Sequence, residues 1–174
     1  MIKLSLPRIT LAMTLTGLLF AGCFGLEASA QRRRPARRNA VCGNPNQNCP
    51  GMRTFEPFEL RFRLPDGAVI WDTELFYAVV LKSVNSPEDS CDIFVSESER
   101  TAAQALFPDH KVFASRCFEP GGISYTNTSA KAQFMAVYAG TTLADANRML
   151  AAVKTTGKFP GANIRRMRAT VNGT

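Results

Sequence analysis

The chain has 174 residues, with 21 Lys plus Arg, 14 Asp plus Glu and one His, for a formal net charge of +7. Its 45% hydrophobic and 20% charged residues exclude a wholly disordered chain, and its length suits one domain. Five Cys are too few for a disulfide-dominated mini-protein.

Residues 1–30 read as a secretory signal peptide. Lys3 and Arg8 precede an apolar run over 9–26, and Ala28-Ser29-Ala30 offers the small residues of a cleavage site, so the mature chain starts at Gln31. The competing transmembrane reading is disfavoured by that A-x-A site and by the Thr and Gly within the run. A second cut is encoded in the same run. Leu19-Phe20-Ala21-Gly22-Cys23 resembles a bacterial lipobox, in which Cys23 would carry a lipid anchor, although Phe20 stands where a smaller aliphatic is usual. Either cut takes the chain out of the cytoplasm, to the periplasm or the cell envelope.

Export decides the reading of the other cysteines. Cys42, Cys49, Cys91 and Cys117 form an even set, which in an oxidising compartment means two disulfides with three connectivities open. The local pairing Cys42–Cys49 and Cys91–Cys117 is expected, because a six-residue spacer closes easily and the later two flank one structural unit. No C-x-x-C occurs and His110 is the single imidazole, so no metal or thiol chemistry is expected, and no cofactor.

Residues 31–54 read as a basic, polar tether. Arg32, Arg33, Arg34, Arg37 and Arg38 crowd into seven residues, and 43–48 is rich in turn formers without an apolar period. The arginines suit either a solvated linker or electrostatic contact with an anionic envelope polymer or lipid. From residue 39 onward the balance is 14 Lys plus Arg against 13 Asp plus Glu, so the folded part is nearly neutral.

Residues 55–74 predict an N-terminal β-hairpin. Phe58, Leu60, Phe62 and Leu64 alternate with Glu59, Arg61 and Arg63, Pro65-Asp66-Gly67 supplies a turn, and 68–71 is the return strand. From 75 to 174 the chain carries an internal repeat. Phe76-Tyr77-Ala78-Val79 recurs as Phe134-Met135-Ala136-Val137. Phe107-Pro108-Asp109-His110-Lys111-Val112 recurs as Phe159-Pro160-Gly161-Ala162-Asn163-Ile164.

Each copy reads strand, helix, strand. In the first, strand 77–84 leads to a helix opened by the capping box Ser96-Glu97-Ser98-Glu99 and stopped by Pro108, then to strand 111–117. In the second, strand 134–139 leads to a helix capped at Thr142, with Leu143, Ala146, Met149, Leu150 and Val153 on one face. Gly157 is its C′ residue and 162–171 is the last strand. The expected fold is α+β. A duplicated βαβ unit forms a four-stranded antiparallel sheet with two helices on one face, and the hairpin is added to it.

The second copy resembles the SPOR (sporulation-related repeat) domain over 134–171. The resemblance rests on Val137-Tyr138-Ala139-Gly140, on Ala144-Asp145-Ala146 opening a helix that carries Leu150, and on Gly157 before Phe159. In the first copy Leu81-Lys82-Ser83-Val84 stands where the family commonly has a Gln-x-Gly-x-Phe run, and Cys91 lies in an insertion. The resemblance implies peptidoglycan binding, favouring glycan strands stripped of stem peptides, across the sheet face opposite the helices.

Strand parity places Lys82 and Tyr138 on that face. Tyr125 in the loop between the copies, with Ser115, Arg116 and Arg165 on the outgoing strands, completes the candidate set. Arg offers forked donors to hydroxyls and Tyr an apolar ring. The alternative partner is another envelope protein, docked on a sheet edge or on the same face. Glu88, Asp89 and Asp92 form a carboxylate cluster in a Ser/Pro-containing loop, which reads as solvated rather than as an acid/base pair. No Gly-rich phosphate loop and no G-x-S-x-G occur, so no enzyme is expected, and the export signal argues against a nucleic-acid partner.

Overall fold

A computed structural model of the chain describes residues 39–49, 53–65, 67–87, 91–117 and 122–172. The signal-peptide and lipobox readings and the arginine run at 32–38 lie outside these residues. The elements in chain order are β1 (Ile70–Asp72), β2 (Phe76–Asn85), α1 (Glu97–Leu106), β3 (Val112–Ala114), β4 (Ile123–Tyr125), β5 (Ala132–Gly140), α2 (Leu143–Thr155), β6 (Asn163–Met167) and β7 (Ala169–Asn172). The fold is α+β, with two helices and two antiparallel sheets. One sheet has the order β3-β5-β2-β6 and the other the order β1-β7-β4.

Local signals account for both helices. Ser96 is the N-cap of α1, its Oγ accepting from the Glu99 N–H at 3.3 Å. Thr142 does the same for α2, accepting from the Asp145 N–H at 3.2 Å while donating to Asp145 Oδ2 at 2.6 Å. Gly157 follows the C-cap with φ +66°, a conformation that a Cβ would strain.

The strands β2 and β5 lie at the centre of the four-stranded sheet and are buried on both faces, so they read as nearly continuous apolar runs. On one face Val79, Leu81, Val112, Met135 and Val137 pack with Ala103, Phe107, Ala146, Met149 and Val153 of the helical layer. On the other face Phe76, Ala78, Val80, Phe113, Phe134 and Ala136 pack under Leu60, Phe62, Ile123, Met167, Ala169 and Val171. The face opposite the helices is therefore largely covered, by the 55–64 segment and by the second sheet.

That cover corrects the expected N-terminal hairpin. Residues 58–64 do not pair with 68–71. Phe62 makes an isolated antiparallel bridge to Val41, and β1 pairs with β7 at the far end of the chain. Alternation reports only a dry and a wet side, and here the dry side chains Leu60 and Phe62, both 0% exposed, pack onto the sheet. The tether reading is likewise corrected for 39–49. The Cys42 N–H donates to the Arg61 carbonyl at 2.8 Å, the Lys111 N–H to the Gly43 carbonyl at 2.7 Å, and the Glu74 N–H to the Asn39 carbonyl at 3.1 Å. A polar, turn-rich composition leaves the backbone free to pair, and the Cys42–Cys49 disulfide closes the segment into a compact loop.

The last predicted strand, 162–171, divides at Arg168 into β6 and β7, which belong to different sheets. The predicted loop between the copies contributes β4, paired with β7.

Candidate functional site

Three clefts adjoin along the margin of the four-stranded sheet that the cover leaves accessible. The first, about 390 Å³, is lined by Arg53, Glu56, Phe58, Phe94, Arg116 and the Cys91–Cys117 disulfide, among others. It shares Arg116, Ile123 and Tyr125 with a second of about 410 Å³, which adds Ser115, Thr128, Ser129 and Gln133. That cleft shares Thr128, Ser129, Ala132 and Phe134 with a third of about 350 Å³, bounded also by Val80, Ser83, Asn127, Asn163 and Arg165. Together they line a trough with the guanidiniums of Arg53 and Arg116, the carboxylates of Glu56 and Glu59 and aromatic rings at one end, and hydroxyls, amides and the Arg165 guanidinium at the other.

Arg116 organises the first end. Its guanidinium lies over the Phe94 ring at 4.0 Å and over the Phe58 ring at 4.7 Å. Its Nη1 donates to the Val95 carbonyl at 2.8 Å, and its Nη2 stands 3.9 Å from Glu97 Oε2. Burial lowers the Arg116 pKa and the Glu97 carboxylate opposes the shift, so the group stays a cation. Hydrogen bonds from Arg100 hold the Glu97 carboxyl below its usual value, with the nearby Arg116 charge adding to the effect. Beside it Glu59, buried, accepts from Arg53 Nη2 at 2.8 Å and from the Glu56 N–H at 2.9 Å. Burial raises the Glu59 pKa despite those donors.

At the other end Arg165 is exposed on β6, and its Nε donates to Asn163 Oδ1 at 3.1 Å. Asn127, at φ +58°, turns the chain there and donates from Nδ2 to the Arg166 carbonyl at 3.2 Å. Thr128 Oγ1 donates to the Tyr125 carbonyl at 2.8 Å.

The six predicted site residues are divided by this geometry. Ser115, Arg116, Tyr125 and Arg165 all line the trough. Ser115 is buried, and its Oγ accepts from the Phe134 N–H at 2.8 Å, extending the β3–β5 ladder. The Tyr125 ring packs between Phe113 and Phe134 at 5.1 and 5.5 Å, its hydroxyl accepts from the Leu60 N–H at 3.4 Å, and burial pushes its pKa up. These two side chains build the wall, while Arg116 and Arg165 bring charged groups to it.

Lys82 is placed elsewhere, because β2 bulges. Val80 pairs with Ala136 and Lys82 with the next partner, Met135, leaving Leu81 as the extra residue. The bulge reverses the parity, and Lys82 Nζ meets Glu99 Oε1 of α1 at 2.6 Å on the helical side. Tyr138 does face away from the helices, 5.7 Å from Phe76, but it lies beneath the 39–49 segment. Gly43 rests on its ring so closely that a Cβ at 43 would overlap the ring carbons, and burial pushes the Tyr138 pKa up to about 12.

Phe58, Phe94, Asn127, Ser129 and Asn163 also line the trough and are not among the six residues predicted for the site. The available signal for Phe94 is an aromatic three residues after Cys91, and for 127–129 a run of amide and hydroxyl residues. Both disulfides have the expected pairing, Cys42–Cys49 and Cys91–Cys117, and they fit export to an oxidising compartment. Among the described residues no group of three or more His, Cys, Asp or Glu could hold a metal ion, and no helix is long and apolar enough to cross a membrane.

No protein-family model, curated protein or solved structure matches the chain. The resemblance to SPOR domains therefore rests on the residues themselves.

Proposed function

We propose that this is an exported cell-envelope protein that binds peptidoglycan glycan strands in the trough at the margin of the sheet. The observation that carries the reading is the run of three adjoining clefts. Such a run suits a linear ligand, and its lining combines donors and acceptors for sugar hydroxyls with ring faces for their apolar sides. The domain is close to neutral, which favours hydrogen bonding and stacking over charge attraction as the basis of recognition. The connectivity β2-α1-β3 and β5-α2-β6, in a sheet of order β3-β5-β2-β6, fits a duplicated split βαβ unit and supports the SPOR-like reading. The site differs from an open-face groove, because the 55–64 segment and the second sheet cover most of that face. The arginines at 32–38 would hold the domain against an anionic polymer or lipid surface.

A second reading, a protein-interaction module, is favoured by β1. This edge strand and its neighbour expose Ile70 at 63% and Val69 at 54%, and an edge of that kind accepts an added strand. Pull-down of the purified chain on sacculi separates the two readings. Enrichment on amidase-treated over intact sacculi supports glycan binding. Equal, weak retention on both overturns it.

A further inference from the structure

Within that reading, and resting on it, we propose that Phe94 is a stacking platform for the apolar face of a sugar ring, held in place by Arg116 and the Cys91–Cys117 disulfide. Phe94 is 41% exposed and lines the first cleft, an arrangement that costs apolar hydration unless something covers it. Its neighbours on the chain are not a core. Cys91, Asp92 and Ile93 are all exposed, so its chain neighbours do not bury the ring.

The ring is nevertheless stacked against Arg116, which lines the same cleft. The Arg116 guanidinium lies 4.0 Å over the ring and is tied by its own hydrogen bond to Val95, the residue after Phe94. Val95 is buried at 1% exposure and anchors the segment. Cys117 follows Arg116 in sequence, and its disulfide to Cys91 holds the two segments at a Cα separation of 5.3 Å. One covalent and two non-covalent ties thus join the segment after β3, which carries the guanidinium, to the loop that carries the ring. A ring already stacked on a tethered guanidinium has less rotamer freedom to lose, so a ligand that stacks on it pays less ordering entropy. The cleft beside it continues into the hydroxyl-lined middle of the trough, as a sugar polymer requires and an isolated apolar pocket would not. Phe94 is the contacting residue. Arg116 and the disulfide are positioning elements.

The test uses the full exported chain and soluble denuded glycan fragments released from amidase-treated sacculi. Phe94→Ala should weaken binding roughly tenfold, and Phe94→Trp should restore it, because the ring face is kept. In Phe94→Trp, glycan should shift the emission of the new indole relative to the native chain, whose sole Trp is Trp71. The double variant Cys91→Ser/Cys117→Ser, in the Phe94→Trp background, should lose that emission shift even where the circular dichroism spectrum is unchanged. Arg165→Ala provides the control on the trough itself. Wild-type affinity in Phe94→Ala alongside weakened binding in Arg165→Ala would overturn the role of Phe94 and leave the glycan reading standing. Absence of binding by the native chain would overturn both.

Discussion

Phe62→Ala addresses the covering of the sheet directly. Phe62 is 0% exposed and meets the Phe55 ring edge-on at 5.3 Å, within the cluster formed by Leu60, Phe76 and Phe113. Removing a fully buried Phe side chain typically costs about 3–5 kcal/mol, the lost transfer energy plus the cavity left behind. For a chain of this size about 1 kcal/mol moves the melting temperature by roughly 2–4 °C, so a fall of about 6–20 °C is expected. Urea unfolding followed by circular dichroism should show a lower midpoint with an unchanged slope, since the surface exposed on unfolding changes little. Phe94→Ala, at an exposed ring, should cost well under half as much. A loss below about 1 kcal/mol at Phe62 would refute the claim that the 55–64 segment is part of the core and would reopen the sheet face.

Other expectations follow from single contacts. Gly43→Ala should destabilise the fold by about 1–3 kcal/mol through overlap with the Tyr138 ring, and the double variant with Tyr138→Ala should cost less than the sum of the singles. Lys111 is buried, and desolvation lowers its pKa from 10.5 to about 8, while its Nζ donates to the Pro57 carbonyl at 2.5 Å. Arg100 and Arg61 lower that pKa further, and Glu97 and Glu59 act the other way. Because the unfolded chain binds the proton more tightly, stability should rise with pH between about 8 and 10.5, and Lys111→Met should flatten that slope in urea melts. Lys82→Ala breaks an exposed ion pair with Glu99, so it should change stability by less than about 1 kcal/mol and leave glycan retention unchanged.

Much of the architecture could be read from local signals. The capping residues Ser96 and Thr142 and the glycine at 157 set the helix ends, and each encodes its own effect within a few residues. The apolar runs over 77–84 and 134–139 likewise marked β2 and β5 as strands, without giving their central place in the sheet. What stayed hidden depends on distant partners. The alternation over 58–64 is the same whether the backbone pairs with 68–71 or with residue 41, because the pattern records burial and not the partner. The bulge at Leu81 leaves no mark in composition, yet it reverses the parity on which the placement of Lys82 rested. At the site, Arg116 and Arg165 were legible as cations on outgoing strands. The trough between them arises only when β4 and the 126–130 loop fold back against β5, and no local pattern announces that.

The central claim is that ligand lies along the trough and not across the sheet. Amide and side-chain chemical-shift mapping with soluble denuded glycan fragments tests it most directly. Perturbations should run from Phe94 and Arg116 through Ser129 and Gln133 to Ser83, Asn163 and Arg165, with Lys82 and Ile70 unmoved. Shifts centred on Ile70 and Val69, or none at saturating glycan, would contradict it.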